Sequence, residues 1–347
     1  MDILIYGASG YTGKLIAALA FSKGLKPILA GRSETNIKPL AEKYGFGFRI
    51  FNLDGANEVA KHLKGIRLVL NCAGPFSKTA KQMVEACLIS GTHYLDITGE
   101  IEVFELLKLY DAKAREAGIV ILPGVGFDVV PTDCAAKYLH DQLPDATHLE
   151  LAFTSLGGGI SQGTVLTLVE NLGGSGAVRQ NGKIIPKPTG HLSKVIDFGS
   201  KKRFCMSIPW GDISTAFSTT GIPNIATYTG VSKSTYRFMQ WQWLFNPILR
   251  TKWVKKLANN YVRKNITGPT PEQNQQGKSL VWGRAENASG KSIEVRIETP
   301  EGYRLTSETA LLIAQKVLST ESISGYQTPA GLFGSDLILE ITGTKLY

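Results

Sequence analysis

The chain opens on a short apolar run, Ile3-Leu4-Ile5-Tyr6, that breaks directly into Gly7-Ala8-Ser9-Gly10-Tyr11-Thr12-Gly13. A strand that ends in spaced glycines and reopens as a helix aims the first free backbone N–H groups of that helix at one spot. Such a spot favours a pyrophosphate. Gly7 permits the tight turn, Gly10 removes a side chain where backbone must approach phosphate, and Gly13 lets the helix pack closely on the strand. A second apolar run, Pro27-Ile28-Leu29-Ala30, follows at the spacing of a strand–helix–strand unit, which makes the glycine pattern far more specific than it is alone. A glycine turn with no ligand is the competing reading.

The second run ends in Gly31-Arg32-Ser33. A site selective for NAD usually has an acidic residue here to hold the ribose 2′-hydroxyl. A guanidinium and a hydroxyl suit a 2′-phosphate instead, through charge-assisted bonds and stacking on adenine. The expected cofactor is therefore NADP, with Glu34 the one nearby carboxylate able to reach back to the ribose.

Strand patterns recur at Phe48–Asn52, Leu68–Cys72, His93–Ile97 and Ile119–Leu122, separated by helical patterns over Lys14–Phe21, Asn36–Tyr44, Ala56–Leu63, Lys78–Ser90 and Ile101–Glu116. This alternation predicts an α/β fold whose N-terminal part is a Rossmann doubly wound parallel sheet, with ligand at the carboxyl ends of its strands. Past Asp128 the pattern changes. A helix begins at Val130-Pro131, and longer alternating runs follow at His148–Leu156, Phe204–Ile208, Ile225–Val231, Leu280–Ala285 and Ile293–Glu298. These predict a second α/β (α+β) substrate and dimerisation domain with a mixed sheet. A helix is expected over Thr164–Leu172, and another over Ser307–Leu318. The expected division is a dinucleotide domain of residues 1–130, completed by 303–347, and a second domain of 131–302.

Four scattered cysteines form no Cys-x-x-Cys pair, and no metal site is expected. They suit a reducing, cytoplasmic compartment. The first strand follows Met1 at once, so no targeting peptide is expected, and no apolar run is long enough to span a bilayer. The net charge of +9 is local in origin. Between Ile213 and Pro271 there is no Asp or Glu, while Lys233, Arg237, Arg250, Lys252, Lys255, Lys256, Arg263 and Lys264 fall there. Without that segment the chain is nearly neutral.

Several clusters have residues suited to chemistry. The small residues of Asn71–Phe76 would let a nicotinamide ribose lie against backbone, or form only a tight turn. Tyr94, Asp96 and Thr98 alternate onto one face at the end of a strand, with Glu100 just beyond. Asp96 or Glu100 could serve as a general acid if burial raised its pKa, or Asp96 could cap a helix and hold the domain hinge. Asp128 could orient a carboxamide or substrate, or simply fix a turn. Gly157–Thr164 is a glycine-rich turn before a helix, which suits either an anion nest or a flexible lid. No Tyr-x-x-x-Lys pair occurs, which removes short-chain dehydrogenase chemistry.

With these motifs the chain resembles the saccharopine dehydrogenase-like oxidoreductases, in particular their trans-acting enoyl reductase branch. The matching segments are Tyr6–Gly13, Ala30–Ser33, Asn71–Phe76, Tyr94–Glu100 and Gly126–Asp133, with Gln162-Gly163-Thr164, Gly302-Tyr303 and Thr328-Pro329-Ala330 downstream. The resemblance implies an NADP-binding domain followed by a substrate domain. It implies Gly7, Ser9, Gly10, Tyr11, Thr12 and Gly13 at the phosphates, Arg32 and Ser33 at the 2′-phosphate, and Asp54 near adenine. Ala73, Gly74 and Pro75 would then lie along the ribose and nicotinamide.

The basic segment 234–265 is also aromatic. Phe238, Trp241, Leu244, Phe245 and Ile248 fall at helical spacing, and beyond Asn246-Pro247 so do Leu249, Trp253, Leu257 and Tyr261. Such a segment suits peripheral membrane contact or the entrance for an acyl substrate. It equally suits a homodimer or domain-packing helix pair, and it has no base-reading module, so nucleic acid is not an expected partner. The expected function is NADPH-dependent hydride transfer to a small or hydrophobic enoyl or carbonyl substrate, lipid-linked substrates included, in an interdomain cleft. A saccharopine-type amino-acid dehydrogenase is the alternative enzyme, for which Arg179, Arg203 and Arg284 are candidate carboxylate partners. A non-catalytic NADP sensor or scaffold at a lipid surface is the alternative outside enzymology.

Overall fold

The computed structural model describes residues 2–347. The first stretch alternates β1 (Ile3–Tyr6), α1 (Tyr11–Ser22), β2 (Ile28–Gly31), α2 (Glu34–Tyr44), β3 (Phe48–Ile50), α3 (Ala56–His62), β4 (Leu68–Asn71), α4 (Phe76–Ser90), β5 (His93–Asp96), α5 (Ile101–Lys108), α6 (Asp111–Glu116) and β6 (Val120–Leu122). All its strand pairings are parallel, in the order β6-β5-β4-β1-β2-β3, and a seventh strand, Gly325–Tyr326, joins beside β6. Every residue of β1 and β4 is buried, as a sheet covered on both faces requires. On one face Leu4, Tyr6, Val69, Tyr94 and Ile121 pack against Val59, Met83, Val103 and Leu107 of α3, α4 and α5. The strand order reverses between β1 and β4, so the loops after those two strands diverge there and leave a crevice.

The single helix expected over Ile101–Glu116 is two. The break falls at Leu109-Tyr110, where Tyr110 turns its ring inward and its hydroxyl donates to Glu85 at 2.8 Å.

The chain continues through α7 (Val130–Gln142), β7 (Ala146–Leu156), α8 (Gln162–Glu170), β8 (Gly176–Gln180), β9 (Lys183–Lys187), β10 (Ser193–Asp197), β11 (Lys202–Ser207), α9 (Asp212–Thr220) and β12 (Asn224–Gly230). Three helices follow without an intervening strand: α10 (Lys233–Met239), α11 (Gln242–Leu249) and α12 (Lys252–Asn265). Then come α13 (Pro271–Gln276), β13 (Lys278–Asn287), β14 (Ser292–Pro300), α14 (Gly302–Ser319), β15 (Gly325–Tyr326, the seventh strand of the first sheet), α15 (Pro329–Phe333) and β16 (Lys345–Leu346). The second sheet runs β10-β11-β12-β7-β13-β14-β16, with β8 and β9 branching from β12. It is mixed, because β12 and β7 are parallel and their other neighbours antiparallel. Its core gathers Ala152, Cys205, Tyr228, Leu280 and Trp282. Gly283 of β13 lets α7 approach, since a Cβ there would lie 2.8 Å from Leu139 Cδ1.

Contacts divide the chain into two compact units. One runs up to Asp128 and takes in Tyr303–Pro329; the other holds Val129–Gly302 and Ala330–Tyr347. Residues 330–347, expected with the dinucleotide domain, fall in the second unit because β16 pairs with β14.

Candidate functional site

The glycine turn after β1 is locked by backbone. Gly7 N and Ala8 N both donate to Ala30 O, at 2.9 and 3.2 Å, which ties the turn to the end of β2. Gly7 has φ +79°, and a Cβ there would sit 2.8 Å from Ala73 N. The β1 and β4 loops thus touch at the point where the strand order reverses. A Cβ on Gly13 would meet Gly7 O at 2.6 Å and Ala8 Cα at 2.7 Å, so only glycine allows α1 to begin there. Gly10 differs. Its φ is an ordinary −68°, it is exposed, and a Cβ would meet only Gly7 O, at 3.2 Å. No side chain caps α1 and no acid sits in its first turn. This cradle, open at Gly10 and free of negative charge, fits a pyrophosphate. Ser9, Tyr11 and Thr12 border it, half-buried, and the Tyr11 ring packs edge-on against Tyr303 at 5.0 Å.

At the neighbouring strand ends Arg32 is exposed, and Ser33 Oγ bonds Thr35 Oγ1 at 2.8 Å. Glu34 lies 4.0 Å from Lys38, one turn along α2. Tyr6 donates to Phe51 O at 3.2 Å, and burial pushes its phenol up to about 12, with Arg32 pulling it down and exposed Asp54 pushing it further up. Arg32 and Asp54 therefore share the β1–β2–β3 end of the sheet.

The loop after β4 is held by side chains. Asn71 Oδ1 accepts from Ala73 N at 3.0 Å, and Asn71 Nδ2 donates to Thr79 Oγ1 and Tyr94 OH, each at 3.3 Å. Thr79 Oγ1 donates to Ala73 O at 2.7 Å. The Gly74–Pro75 peptide is cis, and Gly74 is exposed. Ala73, Gly74 and Pro75 thus present backbone beside Gly7.

The two carboxylates at the end of β5 are committed to the fold. Asp96 is fully buried and accepts from Tyr94 OH at 2.7 Å and from Thr98 N and Gly124 N at 3.0 Å each. Burial pushes its pKa up to about 6, against the pull of those three bonds. Glu100 caps α4, accepting from Phe76 N at 2.8 Å and Ser77 N at 3.1 Å. Asp128 lies in the loop after β6. It is half-buried, its Oδ2 lies 2.8 Å from where a Cβ on Gly99 would be, and burial pushes it up to about 7. Its loop is pinned by α14, where Thr306 Oγ1 accepts from Phe127 N and Thr309 Oγ1 donates to Val125 O. Thr79, Thr306 and Tyr303 escaped the sequence reading of the site, although Gly302-Tyr303 stands out as a motif.

The domain model "Saccharopine dehydrogenase NADP binding domain" matches residues 3–122. These residues form a saccharopine dehydrogenase-type NADP-binding domain. Over 263 residues, 69% of this chain and 59% of the relative, the protein is 26% identical to a saccharopine dehydrogenase-like oxidoreductase of Rattus norvegicus. Over 184 residues, 49% of this chain and 44% of the relative, it is 30% identical to a putative trans-acting enoyl reductase of Mycobacterium tuberculosis. A lipid droplet localized protein of Caenorhabditis elegans is 28% identical over 211 residues, 54% of this chain and 49% of that one. The chain spans about half the length of the curated relatives it matches. Its fold is that of saccharopine dehydrogenase (L-Glu forming) from Saccharomyces cerevisiae, with a TM-score of 0.67 at 11% identity, covering 100% of this chain and 99% of that one.

Outside the NADP-binding domain most of the remaining candidates have partners within the fold. Gly159-Ile160-Ser161-Gln162-Gly163 has the Gly-x-Ser-x-Gly spacing of a nucleophile elbow, but Ser161 is buried at φ −79° and its Oγ accepts from Thr164 N as the cap of α8. Beside the same turn lies buried Glu301, 3.4 Å from where a Cβ on Gly158 would be, so a second anion is disfavoured there. Buried Arg179 donates to Ile213 O and Gly182 O and stacks 4.0 Å over Phe217. Arg284 pairs with Glu286 at 2.7 Å, and Arg203 is half-buried on β11.

Proposed function

We propose that the protein is an NADPH-dependent reductase of a hydrophobic enoyl or carbonyl substrate. The observation that carries this reading is the glycine cradle at the strand-order reversal, inside the segment matched by an NADP-binding domain. Two relatives named for enoyl reduction and for lipid droplets support a hydrophobic substrate. The Arg179 and Arg284 contacts count against a set of cations gathered for an amino-acid substrate.

In this reading Gly7, Ser9, Gly10, Tyr11, Thr12 and Gly13 receive the pyrophosphate, and Arg32 and Ser33 the 2′-phosphate. Asp54 lies toward the adenine, and Ala73, Gly74 and Pro75 set the nicotinamide end against backbone. NADPH supplies a hydride to the electron-poor carbon of the substrate. The electron pair displaced from the double bond then needs a proton. Asp128 is our choice to hold it, because a carboxyl that titrates at about 7 is still half protonated at neutral pH.

Purified protein would be assayed for NADPH oxidation against organic and aqueous fractions of a cell extract. Turnover with the organic fraction is expected; turnover with the aqueous fraction alone would favour the amino-acid alternative. The rate should fall as pH rises through about 7, where Asp128 gives up its proton. Asp128→Asn should flatten that profile and lower the rate by about 10²–10⁴-fold. An unchanged profile would remove Asp128 from the proton step.

A further inference from the structure

The α10–α12 arm is tied to its own unit by hydrogen bonds and by a narrow apolar seam, in which the Tyr236 ring of α10 packs edge-on against Phe204 of β11 at 5.2 Å. Gln240 and Gln242 donate to Gly190 O and Thr189 O, at 3.2 and 2.7 Å. Arg250 donates to Gly173 O at 2.6 Å, Lys255 to Glu170 O, and Gln162 of α8 to Arg263 O and Ile266 O. Of the residues in the three helices only Val262 is buried. Most of the large apolar side chains of the arm are exposed, Trp243 at 65%, Trp253 at 70% and Tyr261 at 65%. On α12 the outward stripe Trp253, Leu257, Tyr261 repeats every four residues, while Val254, Ala258 and Val262 are the more enclosed. Beside the arm a notch of about 320 Å³ is lined by Lys187, Arg250, Trp243, Gln242, Asn246 and Ser175, among others.

We propose that this arm docks on an anionic phospholipid surface, lying in the interface plane with a lipid phosphate held in the Lys187–Arg250 notch. Aromatic and aliphatic side chains enter the headgroup boundary while flanking lysines meet anionic lipid. No helix among the described residues is long and apolar enough to cross a membrane, so the contact is peripheral. A second copy of the chain fits this face poorly. In a two-fold dimer the patch would meet itself, and a stretch of eight cations with no acid from Ile213 to Pro271 would face its own like charge. The inference leans on the proposed hydrophobic substrate only for its purpose, so NADPH binding is measured separately.

The full chain would be sedimented with vesicles of phosphatidylcholine alone and with added phosphatidylglycerol. Binding is expected to need the anionic lipid and to weaken at about 1 M salt, where screening shortens to about 3 Å. Trp253→Ala with Leu257→Ala and Tyr261→Ala should lower it about tenfold or more. Lys187→Ala with Arg250→Ala should reduce the preference for phosphatidylglycerol about fivefold or more. NADPH affinity, read by fluorescence, should stay unchanged in every variant, and circular dichroism with an unchanged unfolding midpoint shows that each is folded. No binding to anionic vesicles, or full binding by the triple variant, overturns the proposal. So does a dimer in light scattering that the triple variant abolishes, since the occupant is then a second copy.

Discussion

At the ends of β4 and β5 the polar side chains are already committed, whereas along the α10–α12 arm it is the apolar ones that are left over. Asn71, Tyr94, Asp96, Thr98 and Glu100 each bond a neighbour, so apart from exposed Arg32 at the end of β2 what that end of the sheet offers a ligand is largely backbone: Gly10, Gly74 and the first turn of α1. The arm offers side chains, on a frame held by a few glutamine and cation bonds to carbonyl oxygens. A backbone site depends on each glycine that shapes it. A side-chain surface can lose one member and keep its shape.

Substitutions that separate shape from contact sharpen this contrast. Gly13→Val has the largest expected effect. Its side chain would drive into Gly7 O and Ala8 Cα, both backbone, at a cost of about 3 kcal/mol in chemical denaturation. Gly10→Ala should leave stability within about 1 kcal/mol and lose NADPH binding, since its Cβ meets only one carbonyl. If Gly10→Ala unfolds the protein as Gly13→Val does, the distinction between the two glycines fails. Arg32→Ala comes next, with NADPH affinity falling about 10–100-fold and NADH affinity hardly moving in titrations. Equal losses would show that Arg32 does not read the 2′-phosphate.

Asp96→Asn should cost about 1–3 kcal/mol. An amide cannot accept from Tyr94 OH on one side and from two backbone N–H groups on the other without turning its own N–H₂ toward a donor. The pH dependence has a definite sign. Asp96 and Asp128 titrate near 6 and 7 in the folded chain against about 3.9 unfolded. Stability from holding these protons is therefore complete below about pH 4 and is lost as pH rises through about 6 and about 7. Each Asn variant should show a shallower fall than the parent chain across that window. The smallest effect belongs to the arm, where Trp253→Ala should shift the unfolding midpoint by no more than about 0.5 kcal/mol equivalent. A larger loss would mean that Trp253 is packed rather than presented.

Sequence patterning reads well where hydrophobic period and turn chemistry agree. β1 is the run Ile3–Tyr6 itself, and the other five leading strands lie within two residues of expectation at either end, because buried parallel strands are short apolar runs bounded by breaks. The strands β8, β9 and β10 were missed, being short and only partly buried, yet one signal for them was present. Asn181 and Gly182, at φ +49° and +77°, join β8 to β9 as a two-residue hairpin turn, the conformation that Asn-Gly favours. The candidate acids show what spacing cannot convey. Asp96, Glu100 and Asp128 all sit at or beyond strand ends, but groups that bind Asp96 and Glu100 lie 24 to 28 residues away, Phe76 for Glu100 and Gly124 for Asp96. The arm's stripe was visible as a period, but not whether it faced inward.

The contact of Gly7 with Ala73 has a thermodynamic consequence. One wall of the cradle comes from the β1-β2-β3 half of the sheet and the other from the β4-β5-β6 half. A dinucleotide that needs both walls has no affinity for a chain in which only one half is formed. NADPH at about a hundred times its dissociation constant would add about 2.7 kcal/mol to the assembled sheet and nothing to either half alone. Bound nucleotide should thus make the two halves melt as one cooperative block, and hydrogen exchange in β3 and β6, each two strands out from a wall of the cradle, should slow together.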